Sequence, residues 1–144
     1  MVNKVLLDVN IIVDLFDKNR PYSQVSLKSV QMLLERGILL YINSDTLTTT
    51  FYLLRSQKKA TFLEAIEAIK EISKLCELIS IEIADVKNTV LLCEDAKTPF
   101  KDYEDAMQYI CAKKVDVDMI LTNDKGFVSP DIQVKSSSEY SSFL

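Results

Sequence analysis

The chain lacks histidine and tryptophan altogether, and glycine is scarce, with two residues in 144. Without histidine, neither a Ser-His-Asp or Cys-His catalytic centre nor an imidazole-ligated zinc or haem site can be built. With Gly37 and Gly126 alone, the Gly-rich loops of the Rossmann and Walker A phosphate sites are excluded as well. General acid–base chemistry therefore falls to carboxylates, Lys, Tyr or Cys.

The chain also has few cysteines and no long apolar runs. Three cysteines at wide spacing, Cys76, Cys93 and Cys111, form neither a disulfide framework nor a zinc site. We expect all three to be buried, reduced thiols in a cytoplasmic protein. No apolar run approaches the ~20 residues of a membrane span, and the first one is cut short by Asp8. We therefore expect neither a signal peptide nor a membrane partner.

Carboxylate is the side-chain type present in surplus. Asp and Glu total 21 against 17 Lys and Arg, a net charge of −4. The balance is uneven, at +3 over residues 1–60 and −7 over residues 61–144. Nucleic-acid binders are usually basic, so the overall charge argues weakly against one. The surplus of carboxylate instead suggests hard metal ions with oxygen ligands.

Short apolar runs alternate with helical patterns along the chain. The predicted strands are 4–8, 38–42, 78–81, 119–122 and, at a sheet edge, 132–135. The predicted helices are 11–16, 21–36, 46–56, 61–75, 85–93 and 103–114. This alternation predicts an α/β fold in which a small, mostly parallel sheet is flanked by helices, as one domain over residues 1–144.

Polar residues and glycine mark the ends of several predicted helices. Thr61, with Glu64 three residues later, matches a capping box, and Gly37 is predicted to end the second helix. Ser44 or Asp45 is predicted to cap the third helix, and Asp85 the fifth. These signals indicate where strands give way to helices, and hence which polar residues lie at strand ends.

Four aspartates lie where predicted strands end or beside them. Asp8 ends the first strand, Asp124 follows the fourth, and Asp102 and Asp105 share one face at the start of the sixth helix. Ligands of parallel sheets gather at the carboxyl ends of the strands. If these segments converge, the repulsion between the acids calls for a cation, and Mg²⁺ or Mn²⁺ is the natural one. Such an ion acidifies a bound water, and a pair of ions can clamp an in-line phosphodiester displacement.

Each aspartate also has an ordinary structural interpretation. Asp8 could cap the next helix, Asp102 and Asp105 could be acids favoured by the helix dipole, and Asp124 fits a turn. A phosphotransferase of the haloacid-dehalogenase type is disfavoured, because the second acid that it needs is replaced by Asn10. A receiver-like signalling domain is disfavoured too, since its acid pair and late lysine are not evident. The joint placement of the four acids is more informative than any one of them.

Three segments of the chain resemble PIN-domain ribonucleases. Residues 5–15, VLLDVNIIVDL, resemble the family's opening, a strand that ends in Asp followed by a small residue and Asn. Residues 102–109, DYEDAMQY, resemble its D-F-E-D-A-L-Q helix, and residues 120–127, ILTNDKGF, resemble its V-T-x-D-x-x-F segment. The order and spacing of the three agree with the family over nearly the whole chain.

The resemblance implies a three-layer α/β/α PIN-like fold and a divalent-metal-dependent endoribonuclease that uses Mg²⁺ or Mn²⁺. In this family such an enzyme is often the toxin of a VapC-type toxin–antitoxin pair. Carried over by position, Asp8, Asp105 and Asp124 would be catalytic, metal-site carboxylates, and Asp102 a supporting catalytic acid. The resemblance also implies RNA as substrate, a small antitoxin that covers the acidic cleft with an inserted Arg or Lys, and a homodimer.

Three neutral residues, Asn10, Thr49 and Thr122, are expected to orient the substrate or the acids. Thr49 departs from the family, because most PIN nucleases place Glu there in a T-L-x-E context and this chain reads TLTT at residues 46–49. A branch of the family has a neutral polar residue there and an added acid at the Asp102 position. The departure leaves an alternative function, a catalytically weakened PIN-like module that binds RNA or protein. Thr49 could equally be a packing or cap residue.

Two basic clusters are candidates for contacts with RNA phosphates. The first is Arg55, Lys58 and Lys59, after the third helix, and the second is residues 18–20. Lys and Arg supply affinity for phosphate that does not depend on base sequence. The alternative for both clusters is an ordinary solvated loop. Neither is interleaved with aromatic residues, so no base preference is predicted.

Overall fold

A computed structural model describes residues 1–142 of the chain. Its centre is a five-stranded sheet built from β1 (Lys4–Leu7), β2 (Leu39–Asn43), β3 (Glu77–Ile79), β4 (Met119–Leu121) and β5 (Gln133–Lys135). The strand order is β3-β2-β1-β4-β5, and every neighbouring pair is parallel. The α/β class and the edge position of the last strand are therefore as predicted from the sequence.

The central strand β1 is apolar because both of its faces are covered. Val5, Leu6 and Leu7 are completely buried. Alternate side chains of a strand point to opposite faces, so Val5 and Leu7 join one core cluster while Leu6 joins another. A continuous apolar run bounded by polar residues is the pattern of a strand buried in a parallel sheet.

Seven helices surround this sheet. They are α1 (Val9–Phe16), α2 (Ser23–Glu35), α3 (Ser44–Ser56), α4 (Phe62–Leu75), α5 (Ile83–Glu94), α6 (Tyr103–Lys114) and α7 (Ser137–Ser141) among the residues described. The core on the Val5 face includes Ile12 of α1, Leu33 of α2 and Ile72 of α4. The core on the Leu6 face includes Met107 and Cys111 of α6, against which α5 packs. The result is the three-layer α/β/α arrangement implied by the resemblance.

The helix caps agree with the sequence at some ends and differ at others. Thr61 and Glu64 form both hydrogen bonds of a capping box, and Gly37 follows α2 with a left-handed φ of 71°. The cap of α3 is Asn43, whose side chain accepts from the backbone of Thr46, so the prediction of Ser44 or Asp45 was wrong. The strand β2 runs directly into α3 and leaves no intervening residue, which is why the cap falls at the last residue of the strand.

Two other helix starts were also misplaced. Asp85 is not the cap of α5 but its third residue, and its carboxylate accepts from the backbone N–H of Glu82, the true cap. The helix α2 begins at Ser23 rather than at Pro21, because residues 20–23 form a turn in which the Ser23 N–H donates to the Arg20 carbonyl. The short helix α7 was not predicted.

The cysteines divide into two groups. Cys76 and Cys111 are buried, and burial raises their pKa values to about 12 and about 11, so both thiols stay protonated at neutral pH. Cys93 is exposed on α5, which corrects the expectation that all three would be buried. Separately, none of the helices within residues 1–142 is long and apolar enough to cross a membrane.

Candidate active site

The carboxyl ends of β1 and β4 bring together residues that are more than a hundred positions apart. The Asp8 N–H donates to the Leu121 carbonyl at 3.0 Å, so the chain leaves both strands at the same level. Just beyond, the Thr122 hydroxyl donates to Asp8 Oδ2 at 2.8 Å. Both side chains are buried, with 3% of each residue exposed. The parallel pairing of β1 and β4 therefore places Asp8 and Thr122 next to each other.

Asp8 is surrounded by hydrogen-bond donors. Its Oδ1 accepts from the Val9 N–H at 2.8 Å and from the Gln108 amide at 3.1 Å. Its Oδ2 accepts from the Asn10 amide at 3.1 Å, in addition to Thr122. Two donors on each oxygen occupy the usual acceptor positions of a carboxylate. Burial nevertheless raises the pKa of Asp8, and these hydrogen bonds only partly offset that rise. The predicted cap role is present as well, through Val9.

Gln108 connects the helix α6 to this carboxylate, and the sequence analysis gave it no role. Only 1% of Gln108 is exposed. Its amide oxygen accepts from the Asn43 amide at 2.9 Å, while its nitrogen donates to Asp8. The available signal was spacing, since Gln108 lies three residues after Asp105 and therefore on the same helix face. Gln108 fixes the distance between α6, α3 and β1.

The start of α6 supplies the next acids. Asp102 caps the helix by accepting from the Asp105 N–H at 3.0 Å. Asp105 is partly buried, and its pKa is raised to about 7. The largest cause is burial, followed by repulsion from Asp102, Asp8, Asp124 and Glu104 in that order. The acids placed together by the sequence argument therefore do interact in the folded chain.

Asp124 lies on the exposed loop after β4. Its backbone N–H donates to the Thr122 hydroxyl oxygen at 3.0 Å, and its Oδ1 accepts from the Gly126 N–H at 2.9 Å. A Cβ at position 126 would lie 3.3 Å from that oxygen, so a small residue suits this turn. Asp124 thus makes a turn, as its ordinary interpretation expects, and also faces the other acids.

Asn10 and Asn123 hold this loop against the body of the protein. The side-chain amide of Asn10 donates to Asp8 and to Thr122, and its oxygen accepts from the Asn123 N–H at 2.9 Å. The Asn123 amide donates in turn to buried Asp14 at 3.1 Å. The contacts of Asn10 and Thr122 are those of residues that orient Asp8. The role of Asn123 was not anticipated.

Two further acids, Glu104 and Asp45, belong to the same cluster and were missed. The pKa of Glu104 is raised by burial and then by Asp8, Asp102, Asp45 and Asp124. Glu104 and Asp45 line a cleft of about 290 Å³ together with Thr49. The neutral Thr49 therefore shares this cleft with two acids.

The donor chemistry of the cluster fits a hard divalent cation. All the charged groups are carboxylates, and a cation would relieve both the cost of burial and the mutual repulsion that together raise the pKa of Asp105. Within residues 1–142, no three His, Cys, Asp or Glu side chains already form a closed metal-binding group. A cation that ligates Asp8 would replace one of its present hydrogen-bond donors.

The structure does not bring the predicted basic cluster to these acids. Arg55 is eleven residues into α3, about 17 Å along the helix from Ser44 at a rise of 1.5 Å per residue. Its guanidinium donates to the Ala60 carbonyl at 2.8 Å. Lys58 and Lys59 are exposed in the following turn, where Lys59 has a left-handed φ of 62°.

The second basic candidate, residues 18–20, is partly structural. Arg20 is ion-paired with buried Asp14 at 2.6 Å, and its guanidinium also donates to Gln57 at 3.1 Å. An arginine that balances a buried carboxylate is costly to divert to another partner. The described structure therefore gives Arg20 an internal role.

Comparisons with known proteins agree with this geometry. A family model described as the PIN domain matches residues 4–126. The chain is 39% identical to Ribonuclease VapC1 of Aquifex aeolicus strain VF5 over 137 residues, which cover 95% of this chain and 92% of that protein.

Solved structures share the fold at low sequence identity. VapBC from Salmonella typhimurium, bound to DNA, has a TM-score of 0.68 at 18% identity and covers 94% of this chain and 98% of its own. The Sarcin-Ricin loop cleaving toxin VapC20 from Mycobacterium tuberculosis has a TM-score of 0.65 at 10% identity. The match covers 81% of this chain and 86% of that chain. VapBC2 from Rickettsia felis, bound to a fragment of promoter DNA, has a TM-score of 0.67 at 18% identity, covering 92% and 98%.

Proposed function

The chain belongs to the PIN-domain family, and from this premise we propose that it is an endoribonuclease whose active site is the acid cluster around Asp8. One observation carries the proposal: acids from three distant segments meet at the carboxyl ends of β1 and β4, where Asp8 accepts hydrogen bonds from Thr122 and from Gln108 of α6. Burial, with repulsion from the neighbouring acids added to it, raises the pKa of Asp105 to about 7. The high identity to a ribonuclease over nearly the whole chain supports the same activity.

The acids of the cluster have distinct tasks in this proposal. Asp8, Asp105 and Asp124 would hold one or two Mg²⁺ or Mn²⁺ ions, with Asp102 and Glu104 adding negative charge beside them. When bound, such an ion supplies an acidified water and neutralises charge that develops on the phosphate. Asn10, Thr122 and Gln108 keep Asp8 in place through the hydrogen bonds described above. Thr49 would contact the substrate rather than the ion.

We further propose that the protein is the toxin of a toxin–antitoxin pair, with a small antitoxin as partner. The support is the likeness to VapC toxins and to VapBC complexes. An antitoxin that inserts Arg or Lys into the cluster would find complementary charge there. A homodimer is also proposed, because Ile83, Val86 and Val90 place exposed apolar side chains on one face of α5.

RNA cleavage with purified protein tests the nuclease proposal. Mg²⁺ or Mn²⁺ should support cleavage, EDTA should stop it, and Asp8→Asn should reduce it by at least about a hundredfold, as expected for loss of a main transition-state contact. Hydrolysis by water leaves no 2′,3′-cyclic phosphate on the products, whereas attack by the RNA's own 2′-hydroxyl does. Equal cleavage by wild type and Asp8→Asn, or cyclic-phosphate ends, would contradict the proposal.

The second candidate function is a PIN-like binding module with weakened catalysis. Its specific support is Thr49, which replaces the acid that most PIN nucleases have. Calorimetry with Mn²⁺ separates the two functions. Heat of binding that is lost in Asp8→Asn and Asp105→Asn supports the nuclease, whereas no binding in the wild type supports the module.

A further inference from the structure

A cavity of about 520 Å³ opens directly beside Asp124 and is not used by the proposed mechanism. It lies between the loop after β4, the connection from β5 to α7, and Tyr22 at the start of α2. Phe127 and Val134 form apolar parts of its wall, and Thr122 connects it to Asp8. Its volume is within the roughly 300–1,000 Å³ that small-ligand sites occupy.

Two side chains of this cavity are not engaged within the protein. Tyr22 is 47% exposed, and although it precedes α2 its side chain makes no capping hydrogen bond. Lys125 is exposed beside Asp124, and neither side chain has a hydrogen-bond or ion-pair partner among residues 1–142. By contrast, the Glu139 carboxylate on the same wall accepts from the Ser136 N–H at 2.9 Å. An aromatic face and an ammonium group are thus left available next to the acids.

We propose that this cavity binds one nucleotide of single-stranded RNA next to the cleaved phosphodiester, with its base stacked on Tyr22 and a backbone phosphate near Lys125. The inference rests on the proposed nuclease function and specifies where its substrate lies. Aromatic rings bind unpaired bases by stacking, which is tolerant of base identity, and lysine binds phosphate by charge. A base inside a duplex is stacked on both faces by its neighbours, so the cavity selects single strands or loops.

Binding of a fluorescent single-stranded RNA of roughly 10 nucleotides, within the usual site size of single-strand binders, tests the proposal without cleavage when EDTA is present. Tyr22→Leu should weaken binding by about 5- to 150-fold, the range for loss of one stacked base, while Tyr22→Phe should bind like wild type. Tyr52→Leu is the matched control, since Tyr52 is 64% exposed on α3 and does not line the cavity.

The lysine is tested through the salt dependence of binding. Lys125→Gln should reduce the slope of log Kd against log salt by about 0.7, the value for one phosphate contact on a single strand. Lys70→Gln, an exposed lysine of α4 outside the cavity, should leave the slope unchanged. Unchanged binding by Tyr22→Leu and an unchanged slope for Lys125→Gln would overturn the proposal and favour a protein partner in this cavity.

Cleavage measured in parallel with Mg²⁺ separates this proposal from the proposed function. Wild type that cleaves RNA while Tyr22→Leu binds it normally would leave the nuclease intact and refute the subsite. Wild type that binds RNA through Tyr22 but never cleaves it would support the subsite and refute the nuclease. Wild type that neither binds nor cleaves RNA would refute both.

Discussion

Single side chains decide how the acid cluster is held together, and Gln108 illustrates this best. Its amide contacts both Asp8 and Asn43, so it ties α6 to the carboxyl ends of β1 and β2. It is fully enclosed, and each of these contacts lies out of water. Removing it would leave a buried carboxylate oxygen and a buried amide short of a partner.

Gln108→Leu should therefore lower the free energy of unfolding by about 1–3 kcal/mol, the cost of buried polar groups left unsatisfied. Urea unfolding at pH 7 measures the change. Gln24→Leu is the control, because Gln24 is exposed on α2 and its replacement should change stability by less than about 0.5 kcal/mol. Equal midpoints for the two variants would show that the Gln108 contacts contribute nothing.

The raised pKa of Asp105 predicts that its contribution to folding stability decreases as pH rises, which is the opposite of a salt-bridged carboxyl. Its pKa is about 7 in the folded chain against 3.8 in the ordinary state, so the folded form binds the proton more tightly. Stability from this group is therefore lost as pH rises from about 4 to 7, once the unfolded chain has released its proton. Asp105→Asn should have a higher melting temperature than wild type at pH 8 in EDTA, and the difference should shrink towards pH 5.

The same shift predicts competition between protons and metal. A carboxylate must lose its proton to become a ligand, so Mn²⁺ should stabilise the wild type more at pH 8 than at pH 6. Asp105→Asn should show a smaller response to Mn²⁺ at both values. Thermal unfolding with and without Mn²⁺ makes the comparison, and a response that grows as pH falls would contradict it.

Glu104 is the acid best placed to compensate for Thr49. Both line one cleft with Asp45. Glu104→Gln should weaken Mn²⁺ binding by about 10- to 100-fold, the range for residues that support a metal site. Thr49→Glu should strengthen it, and should restore binding when combined with Glu104→Gln. Isothermal titration calorimetry is the measurement, and no change in either single variant would exclude this compensation.

At this scale, the sequence predicted the aspartates and two neighbours of Asp8, Asn10 and Thr122, but gave no role to Gln108 or Glu104. Asp8, Asp102, Asp105 and Asp124 follow from strand ends and from the family motifs. Glu104 could not be predicted, because its place in the cleft depends on how α6 is rotated against α3. The aspartates can be recognised from their positions along the chain, whereas the role of Glu104 becomes visible only when the packing of the helices is known.

Polar side-chain contacts join neighbouring helices, and those between α5 and α6 include a close ion pair. The Lys114 ammonium contacts Asp85 at 2.8 Å and donates to the Ser80 carbonyl at 2.9 Å. Asp85 also accepts from the Glu82 N–H at the start of α5. The Lys114 partner, together with that N–H, lowers the pKa of Asp85. One carboxylate therefore both accepts from the N–H of the cap residue Glu82 and attaches α5 to α6.

Asp85→Ala should lower the free energy of unfolding by about 1–3 kcal/mol, since the capping-box hydrogen bond from the Glu82 N–H and the charged hydrogen bond from Lys114 are both lost. The contribution is fully present above the ordinary pKa of 3.8 and is lost as pH falls through the lower folded value. Urea unfolding at neutral pH measures it against Glu94→Ala, an exposed acid at the end of the same helix. A loss no greater than that of Glu94→Ala would contradict this account.

Elements with strong periodicity or capping patterns were predicted well. The range of α6 is the predicted one, Tyr103–Lys114, and the capping box of α4 is present. The short helix α7 escaped prediction because its five residues, SSEYS, have one large apolar side chain and hence no periodicity. The cap at Asn43 was missed because an asparagine at the end of a strand can equally be interpreted, from the sequence, as a residue of that strand.

At the scale of the whole molecule, the parallel sheet could be predicted because short apolar runs alternate with helical patterns along the chain. The order of the strands in the sheet could not be predicted. Val5, Leu6 and Leu7 of β1 are completely buried, but the three residues of β4 are buried as well, so burial does not identify the central strand. Which strands flank it depends on the paths of the crossover connections. These paths are determined by packing between helices that are distant in sequence, which no local pattern reports.

The exposed apolar face of α5 predicts self-association of the whole molecule. Replacing Val86 and Val90 together by Lys should convert the proposed dimer to a monomer in light scattering, because charges would lie in the buried interface. Leu63→Lys, at a position of α4 that is 75% exposed, is the control and should leave the mass unchanged. A wild-type mass of one chain, or a double variant that remains dimeric, would exclude this interface.

The separation of Asp8 and Thr122 by 114 residues has a consequence for synthesis. At about 5–20 residues per second, a ribosome needs roughly 6–23 s to make the chain between them. During that interval the nascent polypeptide holds Asp8 without β4 beside β1, and without Gln108 for most of the time. If the acid cluster is the active site, as proposed, a growing chain with the acids still apart cannot cleave RNA, including the message being translated. The long-range parallel pairing therefore delays the activity until nearly the whole protein has been made.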